Sequence, residues 1–313
     1  MIIIFAYCNK DSELALLSSQ VISSLGINMR HEAAILCPDG TKNSDEIEAE
    51  LLKAFPTVHR IIAQNGFNGW PLGPNQMFSD AATWASSRQK SWMFFEADCV
   101  AMRRGWVDEL QNEYDRQGAA ILGDIVTSND AGRSNERLIN GAAIYSADIF
   151  DYCPLANGLN AYNIAFRDQN VKPQAWDFYC RWEFMKVGAG TPLIRSYWRS
   201  ESYRRNEDGK ILFDYTTTEQ RKNDKGCIVS NLAAVVHGSK DVNNGGSLHR
   251  LILDGIYTPV EFVTPVSAPQ FVKQLIQIDN NSITIKKDEL VLPSTPPSKN
   301  HRGKPARKTR KAK

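Results

Sequence analysis

No apolar run in this 313-residue chain approaches the about 20 residues that a bilayer-spanning helix needs, so a membrane partner is not expected. The six cysteines (Cys8, Cys37, Cys99, Cys153, Cys180 and Cys227) stand far apart without a C-x-x-C pair. That spacing argues against a zinc ribbon or a disulfide scaffold and fits a reducing cytoplasm. No internal repeat is visible. Acid is missing from the last sixteen residues, where Lys299, Arg302, Lys304, Arg307, Lys308, Arg310, Lys311 and Lys313 lie. Of 37 Lys and Arg, removing these eight leaves 29 against 35 Asp and Glu, so the body carries about −6 and the arm +8. What is present is enough for a core: 42% of residues are apolar and 10% aromatic, which excludes a wholly disordered chain.

The amino-terminal half alternates strand-like and helix-like segments. Ile2–Tyr7 reads as a buried strand rather than a secretory signal, since no basic segment precedes it and Asn9-Lys10-Asp11 follows at once. A helix over Ser12–Ser24 takes Ser12 as N-cap, Leu14, Leu17, Val21 and Leu25 as its apolar stripe, and Gly26 as its stop. Further elements follow at Ala33–Cys37 (strand), Asp45–Phe55 (helix), Val58–Ala63 (strand), Met77–Arg88 (helix) and Trp92–Phe95 (strand). This order predicts an α/β fold, with a mostly parallel sheet flanked by helices. In such sheets ligands gather at the carboxyl ends of the strands, here after Tyr7, Ala63 and Phe95. Beyond Phe95 the pattern loosens: a helix over Gly105–Arg116, strands over Ala119–Val126 and Ala142–Tyr145, an aromatic helix over Pro173–Val187 and a strand over Leu232–Val236. Asn206–Asp224 reads as a polar loop, no motif decides Leu251–Ile285, and Pro293 opens a flexible arm. The expected division is a body of 1–292 and a basic tail of 293–313.

Chemistry concentrates at Trp92-Met93-Phe94-Phe95-Glu96-Ala97-Asp98, where an apolar strand runs into two carboxylates spaced i, i+2. Alternation puts both on one side of a strand end, and two hard oxygen ligands there suit Mg²⁺ or Mn²⁺ holding a diphosphate. An acidic turn after a strand explains the same residues. Five more motifs accompany this pair. Upstream, Gly69-Trp70-Pro71-Leu72-Gly73-Pro74-Asn75 leads into a helix whose N–H groups can face an anion. Downstream stand Gly105-Trp106, Asn140-Gly141-Ala142-Ala143-Ile144-Tyr145, Ala175-Trp176-Asp177 and His237-Gly238-Ser239-Lys240.

In this order the motifs resemble the GT-A type of nucleotide-sugar glycosyltransferase, over roughly Met1 to Asp241, with Glu96-Ala97-Asp98 in place of the usual Asp-x-Asp. The resemblance implies a Rossmann-like nucleotide-binding half joined to an acceptor-binding half. It implies Asp98 and His237 as ligands of Mn²⁺ or Mg²⁺, with Glu96 reaching the same ion through water or touching the donor ribose. Lys240 would neutralise the leaving diphosphate, Ala6 and Tyr7 would flank the base, and Asn75 would lie near its sugar or phosphate. The donor expected is a nucleotide sugar, a UDP-sugar first. A base for the acceptor hydroxyl is sought at Asp177, with Glu183 in reserve. Each residue also has an ordinary structural use: His237 as a strand-end histidine, Lys240 as a loop charge, Tyr7 in the core, and Asn75 or Asp177 as a helix cap. The aromatics from Tyr145 to Tyr203 suit an acceptor cleft or a core, and with Arg195, Arg199, Arg204 and Arg205 interleaved they also suit nucleic acid.

The arm attracts a polyanion. Some similar enzymes, found in bacteriophages, add sugars to hydroxymethylated pyrimidines in DNA, and a DNA base flipped from the duplex is one acceptor this composition suggests. Two rivals remain at this level. A sugar-nucleotide nucleotidyltransferase would want glycines straight after the first strand, where Tyr7-Cys8-Asn9-Lys10-Asp11 has none. A non-catalytic nucleic-acid-binding protein would use the arm alone.

Overall fold

A computed structural model of the chain describes residues 1–64, 69–128, 136–169, 174–196, 204–205, 211–212, 233–239, 248–255, 274–279 and 282–287. The chain begins with β1 (Ile2–Ala6), whose five residues are all buried, as a strand covered on both faces requires. Then come α1 (Ser12–Ser24), β2 (Glu32–Cys37), α2 (Ser44–Ala54), β3 (Val58–Ile62), α3 (Leu72–Arg88), β4 (Trp92–Glu96), β5 (Val100–Ala101) and α4 (Trp106–Gln117). The middle holds β6 (Ile121–Gly123), β7 (Ile125–Ser128), β8 (Glu136–Ile139), β9 (Ile144–Tyr145), α5 (Ile149–Tyr152), α6 (Pro154–Asn157), α7 (Leu159–Gln169), α8 (Trp176–Tyr179) and α9 (Arg181–Val187). Last are β10 (Gly188–Gly190), β11 (Ile194–Ser196), β12 (Arg204–Arg205), β13 (Ile211–Leu212), β14 (Val235–His237), α10 (Leu248–Leu253), β15 (Gln274–Asp279) and β16 (Ser282–Lys287).

Seven strands form the central sheet in the order β10-β6-β9-β4-β1-β2-β3. All its pairings are parallel except the two made by β9, which runs antiparallel between β4 and β6. Because side chains alternate across a strand, β1 feeds two cores. Ile3 and Phe5 join residues of α1, α2 and α4 on one face, while Ile2, Ile4 and Ala6 join Phe78 of α3, Trp176 of α8 and Phe184 of α9 on the other. A second, three-stranded sheet has the order β11-β14-β5, and a third the order β12-β13-β15-β16. No helix among the described residues is long and apolar enough to cross a membrane.

The early elements match the sequence pattern to within a residue or two, and several later ones differ. α3 starts at Leu72 instead of Met77, drawing Pro74 and Asn75 into its first turn. α1 has Asp11, not Ser12, at its N-cap, with no side-chain cap bond. The strand expected over Ala119–Val126 breaks at Asp124, because that residue's carboxylate is turned to another strand. The aromatic helix over Pro173–Val187 divides at Cys180 into α8 and α9. Leu251–Ile285, which carries no motif, holds the end of α10, all of β15 and the start of β16. Lys240, Arg199, nearly all of Asn206–Asp224 and the whole of 293–313 lie outside the described residues.

Candidate active site

Glu96 is the last residue of β4 and pairs with Ala6 at the end of β1, so both stand on the carboxyl rim of the parallel sheet. The chain turns at once, the Cys99 N–H donating to the Glu96 carbonyl at 2.9 Å, and continues as β5. β5 is the edge to which β14 pairs antiparallel, Val236 opposite Val100. That pairing carries His237, 141 residues away in sequence, to the carboxylates: its Nε2 lies 3.0 Å from Glu96 Oε2 and 3.2 Å from Asp98 Oδ1. Gly238 follows with φ of 98°, a left-handed conformation open to glycine at no steric cost, and the Gly238 and Ser239 N–H groups then both donate to the Asp98 carbonyl, at 3.1 and 3.0 Å.

Asp98 is 4% exposed. Burial would drive the proton from His237, but the Asp98 carboxylate and then Glu96 outweigh it and hold the imidazole up at about 10. A cation, here the imidazolium itself, is therefore favoured between these two acids. Exchanging its proton for a divalent ion would leave oxygen and nitrogen donors around one point, so the residues fit such an ion. Asp98, Cys99 and His237 each present one ligand atom within 4.8 Å of the others.

The turn is braced from behind. The Cys99 carbonyl accepts from Ser18 Oγ of α1 at 2.8 Å and from His249 Nε2 of α10 at 3.0 Å. A carbonyl only accepts, so His249 carries its proton on Nε2; its burial lowers the pKa to about 4, which keeps the ring neutral.

Asp177 occupies the first turn of α8, whose N-cap is Ala175, so it does not cap the helix. Its Oδ2 accepts the Gly141 N–H at 3.2 Å and its Oδ1 the Phe178 N–H at 2.8 Å. Burial and then the charge on Glu96 raise its pKa to about 6. Two sequence motifs thus meet here, Asn140-Gly141 and Ala175-Trp176-Asp177. The contact needs glycine: a Cβ on Gly141 would stand 2.3 Å from the Trp176 ring. Trp176 is in the core, stacked on Phe78 with centroids 5.3 Å apart, whereas Tyr152 and Trp182 are exposed.

Of the other expected residues, Ala6 stands on the rim beside Glu96, whereas Asn75 and Glu183 are engaged elsewhere. Asn75 is fully buried, its amide donating to Asn163 Oδ1 and the Gln174 carbonyl, both at 3.0 Å; it ties α3 to the segment before α8 and does not cap a helix. Tyr7 follows β1 and is buried with its ring edge against Phe5, and burial raises its hydroxyl pKa. Ala6, beside it, is 5% exposed. Glu183 on α9 accepts the Leu155 N–H at 3.0 Å, bracing α6.

Sequence reasoning passed over Asp124. It is buried at the break between β6 and β7, where its Oδ2 accepts the Ser196 N–H at 2.7 Å and its Oδ1 lies 3.3 Å from Arg195 Nη1. Ser196 is the register partner of His237, so Asp124 fastens the small sheet to the large one beside the site. An acid inside the apolar run Ile121–Val126 was its only signal.

No family model and no curated protein matches the chain. Among solved structures, an active-site mutant of LgtC is similar over 83% of this chain and 98% of its own, at 10% identity and a TM-score of 0.50. Mouse xyloside xylosyltransferase 1 in its apo form (10% identity, TM-score 0.49, 77% of this chain and 98% of that one) and the galactosyltransferase LgtC with donor and acceptor sugar analogs (12%, 0.49, 83% and 98%) are also similar. The fold assignment rests on the first of the three. The mixed α/β architecture, a mostly parallel sheet flanked by helices, is the GT-A fold.

Proposed function

We propose that the chain is a metal-dependent glycosyltransferase that moves a sugar from a nucleotide-sugar donor, a UDP-sugar first, to a hydroxyl acceptor. The observation that carries this reading is the meeting of Glu96, Asp98 and His237 at the carboxyl rim of a GT-A sheet.

Bond breaking in the donor places negative charge on the departing diphosphate. A divalent ion held by Asp98 and His237 would supply charge stabilisation at that oxygen. Glu96, 27% exposed on its side chain, has room to reach the donor ribose or a ligand water. Lys240 adds a positive charge three residues beyond His237. Ala6 and Tyr7, at the end of β1, mark the side of the rim on which the base would lie. Asp177 is the general base: it is ionised above about pH 6, and it takes the acceptor proton as the new sugar–oxygen bond forms. Glu183 is the reserve candidate, with one oxygen committed to Leu155.

For the acceptor, the eight cations of Ser298–Lys313 support a polyanion, and a hydroxymethylated pyrimidine in DNA joins that charge to a hydroxyl nucleophile. In this reading 1–292 is the transferase and 293–313 the arm that captures DNA. Cys8, Cys37, Cys153 and Cys180 carry free thiols, and this reading places the enzyme in the cytoplasm.

Thermal shifts with a panel of sugar nucleotides, with and without Mn²⁺, test the proposal. One donor should raise Tm only when the ion is present. In Asp98→Ala and His237→Ala that ion-dependent shift and the hydrolysis of the donor should both vanish, while the fold persists. Unaltered hydrolysis in the two variants would refute the assignment.

A further inference from the structure

The residue after Asp98 adds a ligand type that two carboxylates and a histidine do not have. We propose that Cys99 is itself a ligand, so that the site takes a thiophilic divalent ion of the Zn²⁺ class through Asp98, Cys99 and His237, in preference to Mg²⁺. This rests on the cation-dependent reading given above and goes further in naming the ion.

Three observations support it. A sulfur, an oxygen and a nitrogen ligand atom lie within 4.8 Å of one another, and Asp98 Oδ1 and His237 Nε2 are already 3.2 Å apart. Zinc bonds of about 2.3 Å to sulfur and about 2.0–2.1 Å to nitrogen or oxygen set tetrahedral ligand atoms about 3.3–3.7 Å apart, so side-chain adjustments of about 1 Å complete the set. Cys99 is fully buried, and its carbonyl is fixed by Ser18 and His249, so its backbone stays in place whichever ion arrives. Finally, the donor set is mixed. Mg²⁺ wants oxygen in near-octahedral array, whereas thiolate with imidazole and carboxylate is the chemistry of zinc. The sulfur binds as thiolate: the metal–sulfur bond forms as the S–H proton leaves to solvent, together with the proton on His237.

Cadmium makes the thiolate visible through its sulfur-to-metal charge-transfer absorption in the ultraviolet, read on the full chain with UDP present. In the wild type the band should saturate at one ion per chain. In Cys99→Ala and Cys99→Ser it should be lost, and the affinity for Zn²⁺ should fall by at least the about 10–100-fold that losing a partner behind a metal ligand costs. Mn²⁺ binding, followed by electron paramagnetic resonance, should survive in both variants. If the wild type binds Mn²⁺ but shows no band, Cys99 is not a ligand, and the transferase reading stands without it. A band undiminished in both variants would put cadmium on another cysteine and overturn the proposal. Should both variants fail to fold, Asp98→Asn decides: an unchanged band refutes the site and a weakened one supports it. Absence of binding by every ion would remove the cation-dependent reading along with this one.

Discussion

Asp177 holds a carboxyl group between two backbone N–H groups and the charge of Glu96, and burial raises its pKa from the ordinary 3.8 to about 6. The consequence for stability has a definite sign. A group that keeps its proton longer in the folded state contributes stability below its unfolded pKa and loses it as pH rises through the folded one. Asp177→Asn should therefore match the wild type in Tm near pH 3.8 and exceed it above pH 6. Its turnover should fall by about 10²–10⁴-fold with donor affinity little changed, the loss expected when a general base is removed. The wild-type rate should climb through pH 6 and then level off. A rate profile that is flat across pH 5–7, or an Asn variant that keeps its turnover, would exclude Asp177 as the base. Glu96, Asp98 and Asp177 were legible one by one because each stands where an apolar or aromatic segment ends or begins. The raised pKa was not, since it depends on burial by the folded chain and then on Glu96, which lies 81 residues earlier in the chain.

At the scale of elements, the loop between β8 and β9 is set against α8 by one glycine. An alanine at Gly141 would meet the Trp176 ring at 2.3 Å, and Trp176 cannot retreat because Phe78 stacks against its ring. Gly141→Ala should cost about 1–3 kcal/mol, as overpacked cores do, seen as a lower urea midpoint at unchanged slope. It should also slow turnover, because the Gly141 N–H anchors Asp177. A variant as stable as the wild type would show that the close contact is not real. The strands β1 to β4 and the helices between them were readable from apolar period alone, since each buries a face that its own sequence displays. The start of α3 was not. Its first turn is stabilised through Asn75 by Asn163 and Gln174, 88 and 99 residues on, and a Gly-Pro-rich stretch gives no local sign of that.

For the whole molecule, charge separates the arm from the body. If all eight cations of Ser298–Lys313 neutralise duplex phosphates, the logarithm of DNA affinity should fall against the logarithm of salt with a slope of about −7. A chain ending at Leu292 should lose most of that slope and bind DNA weakly in fluorescence anisotropy, yet keep its ion-dependent thermal shift with the donor. Equal DNA binding by the truncated chain would move the nucleic-acid contact onto the body, where Arg195 stands beside the site.

The apolar periods by themselves determined an α/β chain with strands ending near Tyr7, Cys37, Ala63 and Phe95, because burying a two-residue or 3.6-residue repeat leaves few other arrangements. They also marked Glu96, Asp98 and His237 as unusual strand-end residues. Only the tertiary structure decided that β14 pairs with β5, that Asp124 fastens the neighbouring strand, and that His249 supports the turn from behind. Such contacts join residues 72 to 150 positions apart, and their energy comes from packing the whole chain, which no local window of sequence contains.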